Sequence, residues 1–225
     1  MVQSRITPER VERERGNFAR ALDGAAELGF LSALDERFEW ETPQEFLAGY
    51  DGVIFGGSSD FDFHGGRPES DPVRATSMQI LDRTRPLVAH AFDIGLPVLG
   101  VCFGHQIIGN MHGGNVHNDK QQNKFGGHEV HLTEEGQRDP LFKRLPKSFI
   151  AQYAHKDSVT DLPEGAMLLA TGPSCRFSAL RYGDRAYTVQ FHPEIERMTG
   201  ATTHSEEAYE ILPLWVEHII GRNGS

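Results

Sequence analysis

The spacing of apolar and polar positions along the chain predicts helices and strands in alternation. Helical spacing begins after Thr7-Pro8 and again after Thr42-Pro43, and both pairs are typical helix starts. A third helical pattern extends over 71–94. Short apolar runs at 53–55 and 96–99 predict buried strands, because each run ends at a glycine. This order predicts an α/β fold with a mainly parallel, open sheet flanked by helices.

The second half of the chain has a different pattern. After Gly113, short β-rich runs predict a smaller antiparallel region. These runs are 128–132, 148–153, 167–170, 177–181 and 186–191. The Gly183-Asp184 pair predicts a hairpin between the last two runs. A capping box at 203–206 predicts a closing helix, which Pro213 should kink or split.

The amino terminus departs from the pattern expected of a parallel sheet. Such a sheet usually begins with a complete apolar strand, but only Met1-Val2-Gln3 precedes the loop into Thr7. Either the first strand is a stub, or the true start of the chain lies a few residues upstream of Met1. We expect the second.

Composition and charge exclude several classes of protein. With 38% hydrophobic and 24% charged residues, the 225-residue chain fits one soluble domain over 1–225. Its apolar stretches are shorter than the ~20 residues that a membrane span needs. A net charge of −10 without a basic stripe argues against a nucleic-acid partner. Two cysteines and no secretory leader pattern predict a cytoplasmic protein.

One segment carries the strongest chemical signal. Residues 100–106 read GVCFGHQ and stand between a predicted strand and a predicted helix. Glycines two positions before and after Cys102 permit the sharp turn of a nucleophile elbow, and the helix start favours a thiolate. We therefore predict that Cys102 is a catalytic nucleophile. The other cysteine, Cys175, is expected to be a small semi-buried residue without a chemical role.

A partner for this cysteine stands late in the chain. The last predicted strand runs into His192-Pro193-Glu194. Because Pro193 cannot continue a strand ladder, Glu194 can turn back onto the imidazole. A carboxylate in that position fixes the tautomer and stabilises the imidazolium. His192 is therefore the predicted base and Glu194 its orienting acid, with a plain surface pair at a strand end as the alternative.

A cysteine nucleophile also needs an oxyanion hole, and two backbone amides are candidates. One belongs to Phe103, the residue directly after the cysteine. The other belongs to Gly57, in the glycine pair that follows the 53–55 strand. An ordinary strand-ending turn is the alternative for this glycine pair.

Four segments together resemble the class I glutamine amidotransferases, the Cys-His-Glu glutaminases, and in particular the stand-alone GMP-synthase-like amidotransferases. They are FGG at 55–57, GVCFGHQ at 100–106, AHKDSV at 154–159 and QFHPE at 190–194, in the family's order. The resemblance implies a flavodoxin-like architecture and hydrolysis of L-glutamine through a γ-glutamyl thioester, which releases ammonia. It also implies that Gln106 contacts the amino-acid end of the substrate, with a core-edge amide as the alternative reading. No cofactor and no metal are expected.

Two departures from the family pattern concern the loops around the site. The family often has a proline after the glycine pair, whereas this chain has Ser58, which leaves the oxyanion loop less constrained. The loop that follows, DFDFHGG at 60–66, is a candidate lid or specificity element. With no synthetase domain fused, an ammonia acceptor is expected on a separate synthetase chain or not at all.

Other functions remain open at this point. A γ-glutamyl peptidase would use the same thioester chemistry on a γ-glutamyl compound, and a wide lid over 61–67 would favour it. A non-catalytic regulatory or interaction domain would have lost a member of the triad, and all three members are present. A cysteine-elbow stress protein would carry a histidine where this chain has Phe103.

Four further histidines are weaker candidates. His128 and His131 have a metal-ligand spacing, but in a strand they point to opposite faces. His105 follows the predicted nucleophile on its helix, where an elbow does not present it as a base. His155 lies in the segment beside the substrate and receives no role.

Overall fold

A computed structural model of the protein describes residues 1–173, 175–198 and 203–221. The strands are β1 (Val2–Gln3), β2 (Leu31–Ser32), β3 (Val53–Phe55), β4 (Val98–Val101), β5 (Val116–His117), β6 (Lys124–Leu132), β7 (Ser148–His155), β8 (Ser158–Val159), β9 (Ala166–Gly172), β10 (Cys175–Tyr182) and β11 (Ala186–Val189). The helices are α1 (Pro8–Ala21), α2 (Gln44–Leu47), α3 (Pro72–Asp93), α4 (Phe103–Met111), α5 (Glu134–Arg138), α6 (Glu206–Tyr209) and α7 (Ile211–Trp215). A 3₁₀ turn covers Phe142–Arg144 and a π-helical turn covers Val216–Ile220.

One large sheet organises the described residues. Its strand order is β2-β1-β3-β4-β11-β10-β9-β6-β7. The first five strands in that order are parallel to one another, and from β11 onward each pair is antiparallel. A separate antiparallel pair joins β5 and β8. The predicted α/β class is confirmed, and the antiparallel region of the second half continues the same sheet, with the predicted hairpin between β10 and β11.

Both faces of the parallel strands are buried, which explains their unbroken apolar sequences. Along β3, Val53 and Phe55 pack into one core cluster, while Ile54 packs into a second cluster on the other side. Leu99 and Val101 of β4 join the second cluster. Because side chains alternate across a strand, helices must cover the sheet on each side.

The predicted helix starts are confirmed at Thr7, Thr42-Pro43 and Asp71, although the three differ in their capping. The Asp71 carboxylate accepts a hydrogen bond from the amide of Val73 at 2.8 Å, as an N-cap should. The Thr7 side chain caps nothing; instead its hydroxyl donates to Asp60 at 2.8 Å.

The prediction for the closing helix is partly wrong. The helix begins at Glu206 and not after Thr203, because the Ser205 hydroxyl donates to the carbonyls of Ile195 and Glu196 and makes no cap bond. The closing helix is split as predicted, but the break falls at Glu210 between α6 and α7, and Pro213 lies inside α7. Pro213 has no N–H to offer the turn before it.

Every helix in the described part of the chain is too short or too polar to cross a bilayer. The first strand, β1, is only two residues long, yet it pairs with both β2 and β3. Because β3, β4 and β11 are parallel neighbours, their carboxyl ends lie side by side. This edge of a parallel sheet is where ligands usually bind.

Candidate active site

Cys102 occupies a strained turn between β4 and α4. Its φ is 52° and its ψ is −97°, and among the described residues it is the one non-glycine with a positive φ. Such a conformation costs about 1–3 kcal/mol and persists only where the surroundings enforce it. Here the Cys102 amide donates to the Val189 carbonyl of the neighbouring strand at 2.8 Å. This is the geometry expected of a nucleophile elbow.

The two glycines of the elbow allow close packing and not only a turn. A Cβ on Gly104 would overlap the carbonyl oxygen of Phe55, so a side chain there would push α4 away from β3. A Cβ on Gly100 would stand 2.9 Å from the Gly104 carbonyl oxygen. Both contacts are closer than real Cβ atoms approach, which explains the spacing of glycines around the cysteine.

His192 and Glu194 form a buried pair just beyond the end of β11. The His192 amide donates to the Gln152 carbonyl at 2.8 Å, which draws the chain toward β7 after the strand ends. The imidazole Nδ1 lies 2.7 Å from Glu194 Oε1, and each residue is 3% exposed. Glu194 therefore turns back onto the ring as the sequence predicted.

The charge state of His192 follows from its neighbours. Burial by itself lowers the pKa of the imidazole, but the negative charges of Glu194 and of a Cys102 thiolate outweigh it and raise the pKa to about 10. A ring hydrogen-bonded to both groups is thus an imidazolium at neutral pH when the cysteine is a thiolate. The arrangement can supply a nucleophile and a proton together.

The candidate oxyanion loop lies directly against this pair. A Cβ on Gly57 would stand 2.9 Å from His192 Cε1 and 3.4 Å from Cys102 Cβ, so only the backbone fits there. On the other side, the amide of Phe103 is at the first position of α4, where a helix offers no internal acceptor. The structure places the Gly57 backbone and the first residue of α4 beside the cysteine.

Gln106 is buried and hydrogen-bonded inside the protein. It is 3% exposed, and its Nε2 donates to the Asp157 carbonyl at 2.7 Å and to Gln190 Oε1 at 3.2 Å. The first bond holds the segment directly after β7 in place. Within β7 itself, the Ala154 carbonyl lies 3.9 Å from Cys102 Sγ. A direct role in binding the substrate stays a prediction.

Asp157 is a residue that sequence reasoning named only as part of a motif. Its carboxylate accepts hydrogen bonds from the amides of His64 at 2.6 Å and Gly65 at 2.8 Å. Phe63 of the same loop is buried with its ring centroid 5.8 Å from that of Phe103. The candidate lid is therefore tied down beside the cysteine. An acidic residue in a family motif was the only signal that pointed to it.

The other histidines of the sequence analysis lie elsewhere. His105 is fully buried, bonds Thr188 at 2.8 Å, and has its pKa lowered to about 3 by burial and by His155. His155 is also buried, and its pKa falls to about 4 for the same main reason. The ring of His128 contacts the Phe125 carbonyl, whereas that of His131 contacts Ser148.

A metal ion would have few side chains to bind in the described part of the chain. The ligand atoms of Glu196, His204 and Glu206 lie within 4.8 Å of one another. All three residues are exposed, and exposed acidic groups often meet without an ion. Neither His128 nor His131 belongs to this cluster.

Comparison with known proteins agrees with this geometry. A glutamine-hydrolyzing GMP synthase from Thermosipho melanesiensis is 34% identical over 142 residues, which are 62% of this chain and 25% of that protein. One subunit of a glutamine-hydrolyzing GMP synthase from Methanocaldococcus jannaschii is 33% identical over 133 residues, 59% of this chain and 65% of that protein. The chain thus matches less than two thirds of the length of either relative.

A solved structure extends the likeness to nearly the whole fold. A glutamine amidotransferase from Thermotoga maritima superposes with a TM-score of 0.63 at 17% identity, covering 97% of this chain and 96% of that one. The family model for glutamine amidotransferase class-I matches residues 38–210, well over half of the chain. The chain therefore belongs to the class I glutamine amidotransferase family.

Proposed function

We propose that the protein hydrolyses the side-chain amide of L-glutamine to glutamate and ammonia. The observation that carries the proposal is the meeting of Cys102, His192 and Glu194 at the carboxyl ends of β4 and β11. Membership of a glutamine amidotransferase family supports the choice of substrate.

In the first half of the reaction, the Cys102 thiolate attacks the amide carbon of glutamine. Negative charge moves to the amide oxygen, where the Gly57 and Phe103 amides stabilise it. The His192 imidazolium gives its proton to the leaving nitrogen, so that ammonia departs and a γ-glutamyl thioester remains. Glu194 holds the ring in place and compensates its charge.

In the second half, neutral His192 removes a proton from water, and the resulting hydroxide attacks the thioester carbon. The same amides stabilise the second oxyanion. When the carbon–sulfur bond breaks, the product leaves as a carboxylic acid, which gives its proton to the solvent to become glutamate, and the thiolate–imidazolium pair is restored. Each proton that His192 gives is thus replaced from water.

The lid loop favours glutamine over a γ-glutamyl peptide. Asp157 holds the amides of His64 and Gly65, and Phe63 is buried beside Phe103. A loop anchored so close to Cys102 suits ammonia, the smaller leaving group. The buried and hydrogen-bonded triad likewise gives no reason to prefer a non-catalytic role.

The fate of the ammonia is the second part of the proposal. The relatives are named as glutamine-hydrolyzing GMP synthases, in one case as a single subunit of such an enzyme. We propose that a separate synthetase chain accepts the ammonia released here, and the nature of its other substrate is left open.

Purified protein incubated with L-glutamine and, separately, with a γ-glutamyl dipeptide tests the function. We expect ammonia and glutamate from glutamine, and complete loss of both in Cys102→Ala. Cys175→Ala is the matched control: burial raises the pKa of the Cys175 thiol to about 12, so it stays an unreactive thiol. Cleavage of the dipeptide with little action on glutamine would instead identify a γ-glutamyl peptidase.

A further inference from the structure

The loop after β3 lacks a proline but is closed by a serine. Ser58 Oγ accepts hydrogen bonds from the amides of Asp60 at 3.2 Å and Phe61 at 2.9 Å. A serine hydroxyl that accepts amides two and three residues ahead stabilises a turn. These two bonds restrict the freedom expected from the missing proline.

The amino-terminal segment before α1 is hydrogen-bonded to this loop at Asp60. The Asp60 carboxylate accepts hydrogen bonds from the amide of Ile6 at 3.1 Å and from the Thr7 hydroxyl at 2.8 Å. Arg10 forms an ion pair with the same carboxylate and donates to the Ser59 carbonyl at 2.9 Å. The loop and the start of α1 therefore form one hydrogen-bonded unit.

Arg5 extends this unit toward the reacting groups. Its side chain is 9% exposed, its Nη1 donates to Ser59 Oγ at 2.6 Å, and its Nε lies 3.0 Å from Glu14 Oε1. Glu14 is itself buried and accepts a hydrogen bond from Gln3 at 2.9 Å. Because a buried guanidinium without a counter-charge is strongly destabilising, Glu14 supplies the negative charge that Arg5 needs in this position.

Gly57 is where Arg5 and the reacting groups meet. The position of a Cβ on Gly57 is 3.5 Å from Arg5 Nη2, as well as 2.9 Å from His192 Cε1 and 3.4 Å from Cys102 Cβ. At Gly56, the residue before it, the position of a Cβ is 3.0 Å from Glu14 Oε1. The Arg5–Glu14 pair thus supports the peptide whose amide is a candidate oxyanion donor.

We propose that Arg5 is a positioning residue for the oxyanion hole, acting through Ser59 and Glu14 to fix the Gly57 amide. The inference rests on the proposed glutamine hydrolysis. An oxyanion donor is effective only when it is already aimed at the developing charge. In this role Arg5 contacts neither the substrate nor the reacting atoms.

Arg5→Lys tests the role, since lysine keeps the charge but lacks the rigid fork that reaches two partners. We expect kcat on glutamine to fall about 10- to 100-fold with KM nearly unchanged. Ser59→Ala, which removes one contact, should show a smaller loss of the same kind. Alkylation of Cys102 by iodoacetamide is a direct substitution that needs no oxyanion hole, so its pH profile should not move. Arg37→Lys, in an exposed pair with Asp35, is the control.

Two outcomes in these assays would overturn the proposal. One is an unchanged kcat in both Arg5→Lys and Ser59→Ala. The other is a shift in the alkylation profile large enough to account for the loss of kcat, because Arg5 would then act on the thiolate and not on the loop. If Arg5→Lys does not fold, Ser59→Ala alone decides.

Hydrogen–deuterium exchange separates this inference from the proposed function. A peptide covering Gly56 to Phe61 should exchange faster in both variants than in the wild type, with no substrate present. Unchanged exchange overturns the proposed support of the loop. A wild type that releases no ammonia from glutamine overturns the function, and the exchange rates still report whether Arg5 holds the loop.

Discussion

Two buried regions of this protein hold histidines in opposite protonation states. At the carboxyl edge of the sheet, the pKa of His192 is raised to about 10. In the interior, the pKa of His105 on α4 falls to about 3 and that of His155 at the end of β7 to about 4. All three are buried, with exposures of 3%, 0% and 6% in that order. Burial alone therefore does not decide the charge.

The difference comes from the partner of each ring. Desolvation lowers all three pKa values, but His192 has the Glu194 carboxylate at 2.7 Å and the cysteine sulfur on its other side. In the described part of the chain, the ring of His105 hydrogen-bonds the Thr188 hydroxyl, and Nδ1 of His155 lies 2.9 Å from the Asp157 carbonyl and 3.2 Å from the Ser158 hydroxyl. A neutral acceptor does not compensate an imidazolium for lost water, whereas a carboxylate does.

The two regions also influence each other. The positive charge of His192 contributes to the lowered pKa of His155. A protonated His155 would in turn repel the imidazolium on which the proposed proton transfer depends. A neutral interior thus leaves His192 as the one buried cationic ring among these three.

Removal of the Glu194 carboxylate should reduce the difference between His192 and the interior histidines more than any other change. In Glu194→Gln the largest contribution that offsets the desolvation of His192 is lost and the Cys102 sulfur remains, so the pKa of His192 should fall toward those of the interior histidines. We expect kcat/KM on glutamine to drop by on the order of 10²- to 10⁴-fold, since loss of the orienting acid has effects of this size in related triads. Alkylation of Cys102 at neutral pH should slow as well, because the thiolate loses its counter-ion.

Glu196→Gln is the matched control for that experiment. Glu196 lies two residues further along and is exposed, 3.5 Å from His204. Its loss should leave both the turnover and the alkylation profile as in the wild type. An alkylation profile in Glu194→Gln that superposes on the wild type would show that Glu194 does not set the charge of His192.

A smaller effect is expected when a methyl group is added next to His192. In Gly57→Ala the new methyl group would stand 2.9 Å from His192 Cε1, closer than a Cβ normally approaches. We expect kcat/KM to fall about 10- to 100-fold through displacement of the ring or of the loop amide. Gly49→Ala meets nothing closer than 3.8 Å and should be neutral. Normal turnover in Gly57→Ala would exclude a close fit at this glycine.

Much of the site formed by Cys102, His192 and Glu194 could be predicted from sequence, because its sequence signals are local. The glycines around Cys102 and the proline between His192 and Glu194 act over a few residues, and each specifies a turn. The strand-by-strand reading of the sheet rests on the same kind of signal. The helix start predicted at Thr203 was wrong because it depends on distant contacts: the Ser205 hydroxyl donates to carbonyls nine and ten residues away in sequence.

The remaining features depend on contacts distant in sequence. Asp157 reaches His64 across 93 residues, and Arg5 reaches Ser59 across 54. No periodicity or motif in either segment indicates its partner. The neutral state of His105 is equally invisible, because it depends on how completely the fold buries the ring.

The interior region can be tested through stability, where the expected effect is smallest. An unfolded histidine takes up a proton below about pH 6.5, whereas folded His105 resists protonation until about pH 3. The unfolded state therefore binds more protons in this window, and the free energy of unfolding decreases as pH falls through it. For one histidine the slope is at most about 1.4 kcal/mol per pH unit.

His105→Gln removes this titration, and the amide of glutamine can still bond Thr188. Urea unfolding from about pH 7 to about pH 5 should therefore show a shallower loss of stability in the variant than in the wild type, whatever its absolute stability. His117→Gln, at an exposed position, should keep the wild-type slope. If the slopes of His105→Gln and the wild type coincide, the buried ring takes up its proton in the folded state as readily as in the unfolded one. Burial would then not lower the pKa of His105, and the difference in pKa between His105 and His192 would come from the Glu194 carboxylate and the cysteine beside His192.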